Sequence, residues 1–219
     1  TTLGTSPIVN FGTPAQREAY VPLLASGRVL GGFGLTEPGA GSDAGGTRTT
    51  AVRKGDRYLL NGTKRFITHG GVGEIFIVTA VTTPGVGTKG ISSFILTKHT
   101  CDLVGAAAAG VGHEASIVAM PGFRSGKKED KLGWRASDTR ELILEDVEVP
   151  AGNLLGIEGQ GFANFMMTLD SGRIGVAALS VGLAQGALDQ AVQYTATRKQ
   201  FGRAIAEFQT KPHGKPVVC

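Results

Sequence analysis

The sequence predicts an α+β chain in which a middle antiparallel β-barrel or sandwich domain lies between helical ends. Three patterns carry this expectation. Thr13, Pro14 and Gln16 read as a helix-starting capping box with Pro at the first helical position. Between Leu30 and Pro150 short apolar runs alternate with period two and are separated by turn residues. Beyond Gly159 the apolar spacing becomes helical.

Taken in order, the residues before Thr13 read as a loop, and a helix then runs through Tyr20, Leu23 and Leu24 to a stop at Gly27. Strands are expected at Thr47 to Arg53, Tyr58 to Leu60, Lys64 to Thr68, Glu74 to Val81, Ile91 to Leu96 and Glu141 to Leu144. Gly55-Asp56 and Asn61-Gly62 read as hairpin turns, the second with the sequence favoured in type I′ geometry. Phe162, Phe165, Met166 and Leu169 form one apolar helical stripe, continued by Ile174, Leu179, Leu183, Leu188 and Val192. Two stretches fit no element: the Ala/Gly-rich segment from Cys101 to Met120, read as an insert, and the tail from Thr210 to Cys219 with its two prolines.

Composition narrows the function classes. The 219 residues are 41% hydrophobic and 18% charged, enough to bury a core, and the 34 glycines favour turns and close backbone approaches. A net charge of +4 is compatible with an anionic ligand. The basic residues are dispersed, and the tightest cluster, Lys127 to Lys131, is interrupted by Glu129 and Asp130 without an aromatic platform, so nucleic-acid binding is not expected. Cys101 and Cys219 have no metal-ligand spacing, and the four histidines are scattered. No apolar run suffices to span a membrane and no signal peptide opens the chain. A start at Thr1 is expected of a fragment or a processed product.

Four segments carry candidate chemistry. In Leu35 to Asp43 (LTEPGAGSD), Gly39 and Gly41 would let backbone N–H groups approach an anion, with Thr36 and Ser42 adding hydroxyls; a plain Gly-rich turn is the alternative. Phe66 and Thr68, two apart on a strand, share one face that could hold a flat ring, or are simply barrel positions. Asp170 and Arg173 lie within a helix, as a local ion pair or as pocket residues. Arg198 to Arg203 is read at a helix end, either solvated or recognising phosphate or adenosine through Arg198.

Together FGLTEPGAGSD (Phe33 to Asp43), NGTKRFIT (Asn61 to Thr68), GKKEDKLGWRASDTRELILEDVEVP (Gly126 to Pro150) and RKQFGRAIAEFQ (Arg198 to Gln209) resemble the acyl-CoA dehydrogenase family. The resemblance implies the end of an N-terminal helical domain at 1–29, a middle β-domain at 30–150 with the insert at 101–120, and the start of a C-terminal helical bundle at 151–219. It implies FAD as cofactor, held by Phe33, Gly34, Leu35, Thr36, Glu37, Pro38, Gly39, Ala40, Gly41 and Ser42, and by Phe66, Ile67 and Thr68. Arg198, Lys199, Gln200, Phe208 and Gln209 match positions that reach FAD, typically that of a neighbouring subunit, and Ser42, Asp170 and Arg173 match positions that contact acyl-CoA. The family more often has Trp where this chain has Phe66.

The implied reaction is α,β-dehydrogenation of an acyl-CoA thioester to the trans-2-enoyl-CoA, in the manner of fatty-acid β-oxidation. A carboxylate takes the α-proton, hydride leaves to the flavin, and an electron-transferring flavoprotein is the expected acceptor. A homotetramer is implied for the complete protein, in the cytoplasm of a bacterium or the mitochondrial matrix of a eukaryote. The stretch from Leu169 to Gly175 looks most like short-chain or broad-specificity members. No metal is implied. The family's usual base is a glutamate beyond Cys219, or in a minority a residue at the place of Gly172, so no catalytic base is assigned and a chain truncated at both ends is expected. Two alternatives stand beside the enzyme: a non-catalytic flavin- or partner-binding fragment, and an acyl-CoA oxidase.

Overall fold

In the computed structural model, residues 2–99 and 119–208 are described. Among them eight strands form one sheet, in the order β6-β7-β3-β2-β4-β5-β8 with β1 pairing β4 off that path. The strands are β1 (Gly31–Gly34), β2 (Thr50–Lys54), β3 (Arg57–Thr68), β4 (Ile75–Val81), β5 (Ile91–Thr97), β6 (Phe123–Ser125), β7 (Thr139–Pro150) and β8 (Leu154–Leu155). Helices α1 (Thr2–Phe11) and α2 (Pro14–Ala25) precede them and α3 (Gly161–Thr197) follows, with a final hairpin of β9 (Lys199–Gln200) and β10 (Arg203–Ala204). Residues up to Leu169 form one compact unit and those from Asp170 onward another.

The α-β-α order stands, but the sheet is mixed rather than antiparallel. β1 runs parallel to β4, from Gly31 opposite Ile75 to Gly34 opposite Val78, and β2 meets the end of β4 in parallel at Thr50 and Val81. The remaining pairings are antiparallel, the longest being β3 with β7.

Burial explains why β4 is apolar except for Thr79 and why β5 carries the apolar run Phe94 to Leu96. Phe76, Val78 and Ala80 of β4 join Phe94 and Leu96 of β5, and Tyr58, Leu60, Leu142, Leu144, Val147 and Val149 of β3 and β7, in one cluster. The alternate residues Ile75, Ile77 and Ile95 face a second cluster with Ile8 of α1, Leu24 of α2, Leu155 and Phe165 of α3. A strand pair covered on both faces reads as a continuous apolar run.

The capping box forms as read: the Gln16 N–H donates to Thr13 Oγ1 at 3.2 Å and the Thr13 N–H to Gln16 Oε1 at 3.0 Å. The segment read as a loop before it is helix α1, despite Pro7. Its support is tertiary. A Cβ on Gly4 would lie 2.6 Å from the backbone of Gly31, so the helix rests directly on β1, and Ile8 is fully buried. Local propensity is easily overruled by such contacts.

The Gly55-Asp56 hairpin is present, with Lys54 opposite Arg57. Asn61-Gly62 is not a turn. It lies inside β3, where Gly62 pairs with Leu144 after a register shift. Gly62 has φ +151°, and a Cβ there would meet Thr49 Oγ1 at 2.4 Å, so glycine is required by a close crossing and not by a reversal. The two expected strands are therefore one. α3 is likewise one helix of 37 residues, carrying the whole stripe from Phe162 to Val192. The insert lies outside the described residues from 101 to 118, and so does the tail 210–219; at its edges His99 and Ala119 form a bridge.

Candidate functional site

The LTEPGAGSD segment leaves the end of β1 and makes a tight reversal, the Glu37 N–H donating to Ala40 O at 2.9 Å and the Ala40 N–H to Glu37 O at 3.1 Å. Pro38 and Gly39 form its exposed corner, and Gly41, Ser42 and Asp43 are exposed beyond it. Nothing lies within 4 Å of where a Cβ on Gly39 or Gly41 would sit.

Glu37 turns the other way. Its carboxylate is buried, accepting from the Arg48 N–H at 2.7 Å, the Thr49 N–H at 3.1 Å and the Thr49 hydroxyl at 2.6 Å. It also receives Lys64 Nζ at 2.7 Å, and Lys64 donates further to Thr79 Oγ1 at 2.9 Å and Leu35 O at 3.4 Å. The Lys64 side chain is 0% exposed and that of Glu37 5%. Burial drives the Lys64 pKa down to about 8, with Glu37 only partly restoring it. For Glu37 burial pushes the carboxyl pKa up, but the Lys64 charge and the surrounding donors outweigh it and leave the pKa below its ordinary value.

Beyond the Lys64 contacts, the loop is tied to the β3 backbone where the Arg65 N–H donates to Thr36 O at 2.7 Å. There β3 breaks register with β7 between Lys64 and Ile67. Phe66 adopts φ +58° and its side chain is 55% exposed. A non-glycine residue in that region is held at a cost of about 1–2 kcal/mol. The bulge lets Lys64 and Ile67 both point inward while Phe66 and Thr68 point outward. The Arg65 guanidinium lies 5.0 Å from the Phe66 ring centroid, and its Nε stands 3.5 Å from Glu141 without a hydrogen bond.

Past Thr68 the backbone is fixed from three sides. The His69 N–H donates to Asp138 O at 2.7 Å and its ring Nδ1 lies 2.9 Å from Gly31 O. Asp138 accepts from the Gly71 N–H at 2.6 Å and from Arg140 Nε at 2.9 Å. Burial raises the Asp138 pKa, but Arg140 and the Gly71 N–H overcome it and hold the carboxyl below its usual range.

Phe66 and Thr68 thus share an outward face, as their spacing implied, and Ile67 is core, 2% exposed. Phe33 stacks on Phe165 with ring centroids 4.1 Å apart, so its ring is engaged inside the fold. The Ser42 side chain is exposed beside the loop. Lys64, Asp138 and Arg140, which hold this geometry, were not singled out by sequence reasoning. The buried amphipathic lysine amid a period-two strand was the available signal.

In the second unit, Asp170 and Arg173 lie one turn apart on α3 with 3.9 Å between Oδ1 and Nη1, both largely exposed. Arg198 does stand at a helix end, its N–H donating to Tyr194 O at 2.8 Å, but Lys199 to Arg203 form a hairpin beyond it. After α3 stops at Thr197, Lys199 and Gln200 pair with Ala204 and Arg203 across a turn at Phe201 and Gly202. Both turn residues have positive φ, +50° and +79°, as a type I′ turn demands. Phe208 is edge-on to Phe201 at 6.0 Å, with the Arg203 guanidinium 4.0 Å from its ring centroid. Gln209 lies outside the described residues. Among the described residues no group of His, Cys, Asp and Glu is suited to a metal ion, and no helix is long and apolar enough to cross a membrane.

Two family models match: acyl-CoA dehydrogenase, middle domain, over residues 32–147, and acyl-CoA dehydrogenase, C-terminal domain, over 159–213. An acyl-CoA dehydrogenase of Bacillus subtilis is 50% identical over 95% of this chain and 50% of its own length. The structure of butyryl-CoA dehydrogenase from Megasphaera elsdenii superposes with a TM-score of 0.81 at 47% identity, covering 95% of this chain and 49% of that one. An acyl-CoA dehydrogenase from Bacillus anthracis complexed with FAD gives 0.79 at 38% identity, covering 94% and 32%. The chain spans about half the length of the curated relatives it matches. With the middle-domain match alone covering more than half of its residues, the chain belongs to the acyl-CoA dehydrogenase family.

Proposed function

We propose that this chain binds FAD and serves the α,β-dehydrogenation of short-chain acyl-CoA thioesters. The observation that carries the reading is the junction of the glycine loop with the β3 bulge. One backbone hydrogen bond, from Arg65 to Thr36, sets an outward Phe66–Thr68 face beside a loop with open space over Gly39 and Gly41. A planar ring fits that face, and the exposed loop N–H groups and the Ser42 hydroxyl suit its polar edge or a phosphate. When bound, the flavin supplies acceptance of two electrons. The chain's residues orient it: Phe66 offers a ring to pack on, Thr68 an edge hydroxyl, and Thr36 to Ser42 a rim.

The remaining assignments follow the family resemblance. Ser42, Asp170 and Arg173 would contact the acyl-CoA, and Arg198, Lys199, Gln200, Phe208 and Gln209 an FAD. The domain limits are 1–29, 30–150 and 151–219, the sheet closes as a barrel or sandwich, and the complete protein is a homotetramer in the bacterial cytoplasm that passes electrons to an electron-transferring flavoprotein. Gly172 has no side chain to take a proton, so that position supplies no base; the second reading is a chain that binds flavin without turning over.

The test is the absorbance spectrum of the purified chain with added FAD, followed by anaerobic butyryl-CoA. A bound-flavin spectrum that bleaches supports both binding and dehydrogenation. Bound flavin without bleaching leaves the second reading. No bound flavin overturns both.

A further inference from the structure

The Glu37–Lys64 pair is almost wholly buried and its charges are engaged with each other and with the backbone, so it does not face the exposed side, yet it sits at the base of both segments that build that face. Glu37 is the first residue of the 37–40 reversal, and Lys64 immediately precedes the residue whose N–H holds Thr36. The carboxylate also gathers the backbone of Arg48 and Thr49, where the chain re-enters the sheet, and Lys64 adds Thr79 of β4. Four separate chain segments therefore converge on two charges. Buried ion pairs are poor sources of net stability, because each charge loses its hydration, but their geometry is directional. An apolar pair would fill the same space without fixing the loop's register.

We infer that the Glu37–Lys64 ion pair is a positioning device, locking the 36–42 loop to the bulge at Arg65 and Phe66 and so setting the shape of the flavin cradle. The inference rests on the flavin reading for its ligand but not for its effect on the loop. Both side chains are turned inward, so they act through the backbone they hold.

The experiment compares the full chain with E37Q, K64M and the double variant E37Q/K64M, by amide hydrogen exchange and by FAD titration. The loop probes are the amides of Glu37, Ala40 and Arg65, whose acceptors are Ala40, Glu37 and Thr36; the core probes are those of Ile77 and Ile95, which face each other in the β4–β5 ladder. Each single variant is expected to speed the loop amides by about ten- to hundred-fold, the range set by loss of a hydrogen bond to a charged group. The double variant leaves no unpaired buried charge, so its core amides return to wild-type rates while its loop amides stay fast and its FAD affinity stays weakened. Loop and core amides moving together in all three variants would make the pair merely structural and overturn the inference. Loosened loop amides with unchanged FAD affinity would also overturn it. If the wild-type chain binds no FAD, the flavin reading falls by itself, and the exchange rates still decide whether the pair holds the loop.

Discussion

The buried lysine makes an unusual prediction about alkaline pH. Lys64 releases its proton at about 8 in the folded chain, against an ordinary value of 10.5, because burial removes the hydration that stabilises its charge. Between those two values the folded chain has lost a proton that the unfolded chain still holds. Unfolding then takes up a proton, so this residue's contribution to stability rises with pH across the window. Below it the lysine is charged in both states, and the cost of its buried charge is felt in full. The gap corresponds to about 3 kcal/mol. The assay is urea unfolding of the wild type and E37Q/K64M from pH 7 to pH 10.5, taking the difference so that other titrating groups cancel. Wild type should gain about 3 kcal/mol on the double variant, moving the gap between their midpoints by about 1 M or more at ordinary urea sensitivities. A gap that stays constant, or moves against the wild type as pH rises, would refute the account of Lys64 as a buried cation.

Three other outcomes are expected. Phe66→Gly relieves the positive-φ strain, so urea unfolding should show stability unchanged or raised by about 1 kcal/mol, while FAD titration shows about ten-fold or greater weakening from the lost ring contact; retained affinity would mean that Phe66 does not pack on the ligand. Phe76→Ala removes a fully buried ring between Gly32 and Phe123 and should cost about 3–5 kcal/mol in urea unfolding. Asp138 has a depressed pKa in the fold, so its contribution is present above the ordinary carboxylate value and lost as pH falls through the folded one. The stability gap between wild type and Asp138→Asn, read by thermal melting, should therefore shrink on acidification below about pH 4; a gap that widens there would contradict the Arg140 pairing.

What the sequence revealed and what it hid divide along a physical line. Features set by a few neighbouring residues were legible: the Thr13 capping box, the Gly55-Asp56 reversal, and the apolar runs of β4 and β5. Features set by distant contacts were not. α1 carries a glycine and a proline and forms because Gly4 rests on β1 and Ile8 is buried with Ile75 and Ile77. Asn61-Gly62 has the composition of a turn, yet Thr49 crosses it so closely that glycine is needed within a continuous strand. Gly31 to Gly34 has no period-two signature, since its place is set by parallel pairing with β4. The candidate site shows the same division. The shared face of Phe66 and Thr68 followed from their spacing, whereas the inward turn of Glu37 depends on Lys64 and Thr49, remote in sequence.

The distribution of buried polar groups ties these observations together. Among the described residues, Gln16, Ser92, Ser93, Asn164 and Thr168 are buried away from the glycine loop, whereas Glu37, Thr47, Thr49, Lys64, Asp138 and Thr139 are buried beside the loop, the bulge and the backbone that holds His69, with Thr79 reached from Lys64. Hydrophobic burial alone would leave this rim soft, because apolar contacts are non-directional and a loop can slide over them. Hydrogen bonds to buried charges tolerate little displacement, since a donor moved out of reach is left unsatisfied without water to replace its partner. That rigidity is what allows Phe66 to remain exposed in a strained conformation: Lys64 and Ile67 are fixed inward on either side, and His69 and Asp138 fix the backbone beyond. The bulge is held from both ends, so the ring has one place to point. The polar burial around this rim is therefore better explained by the need to hold an outward aromatic face beside an open glycine loop than by any gain in stability.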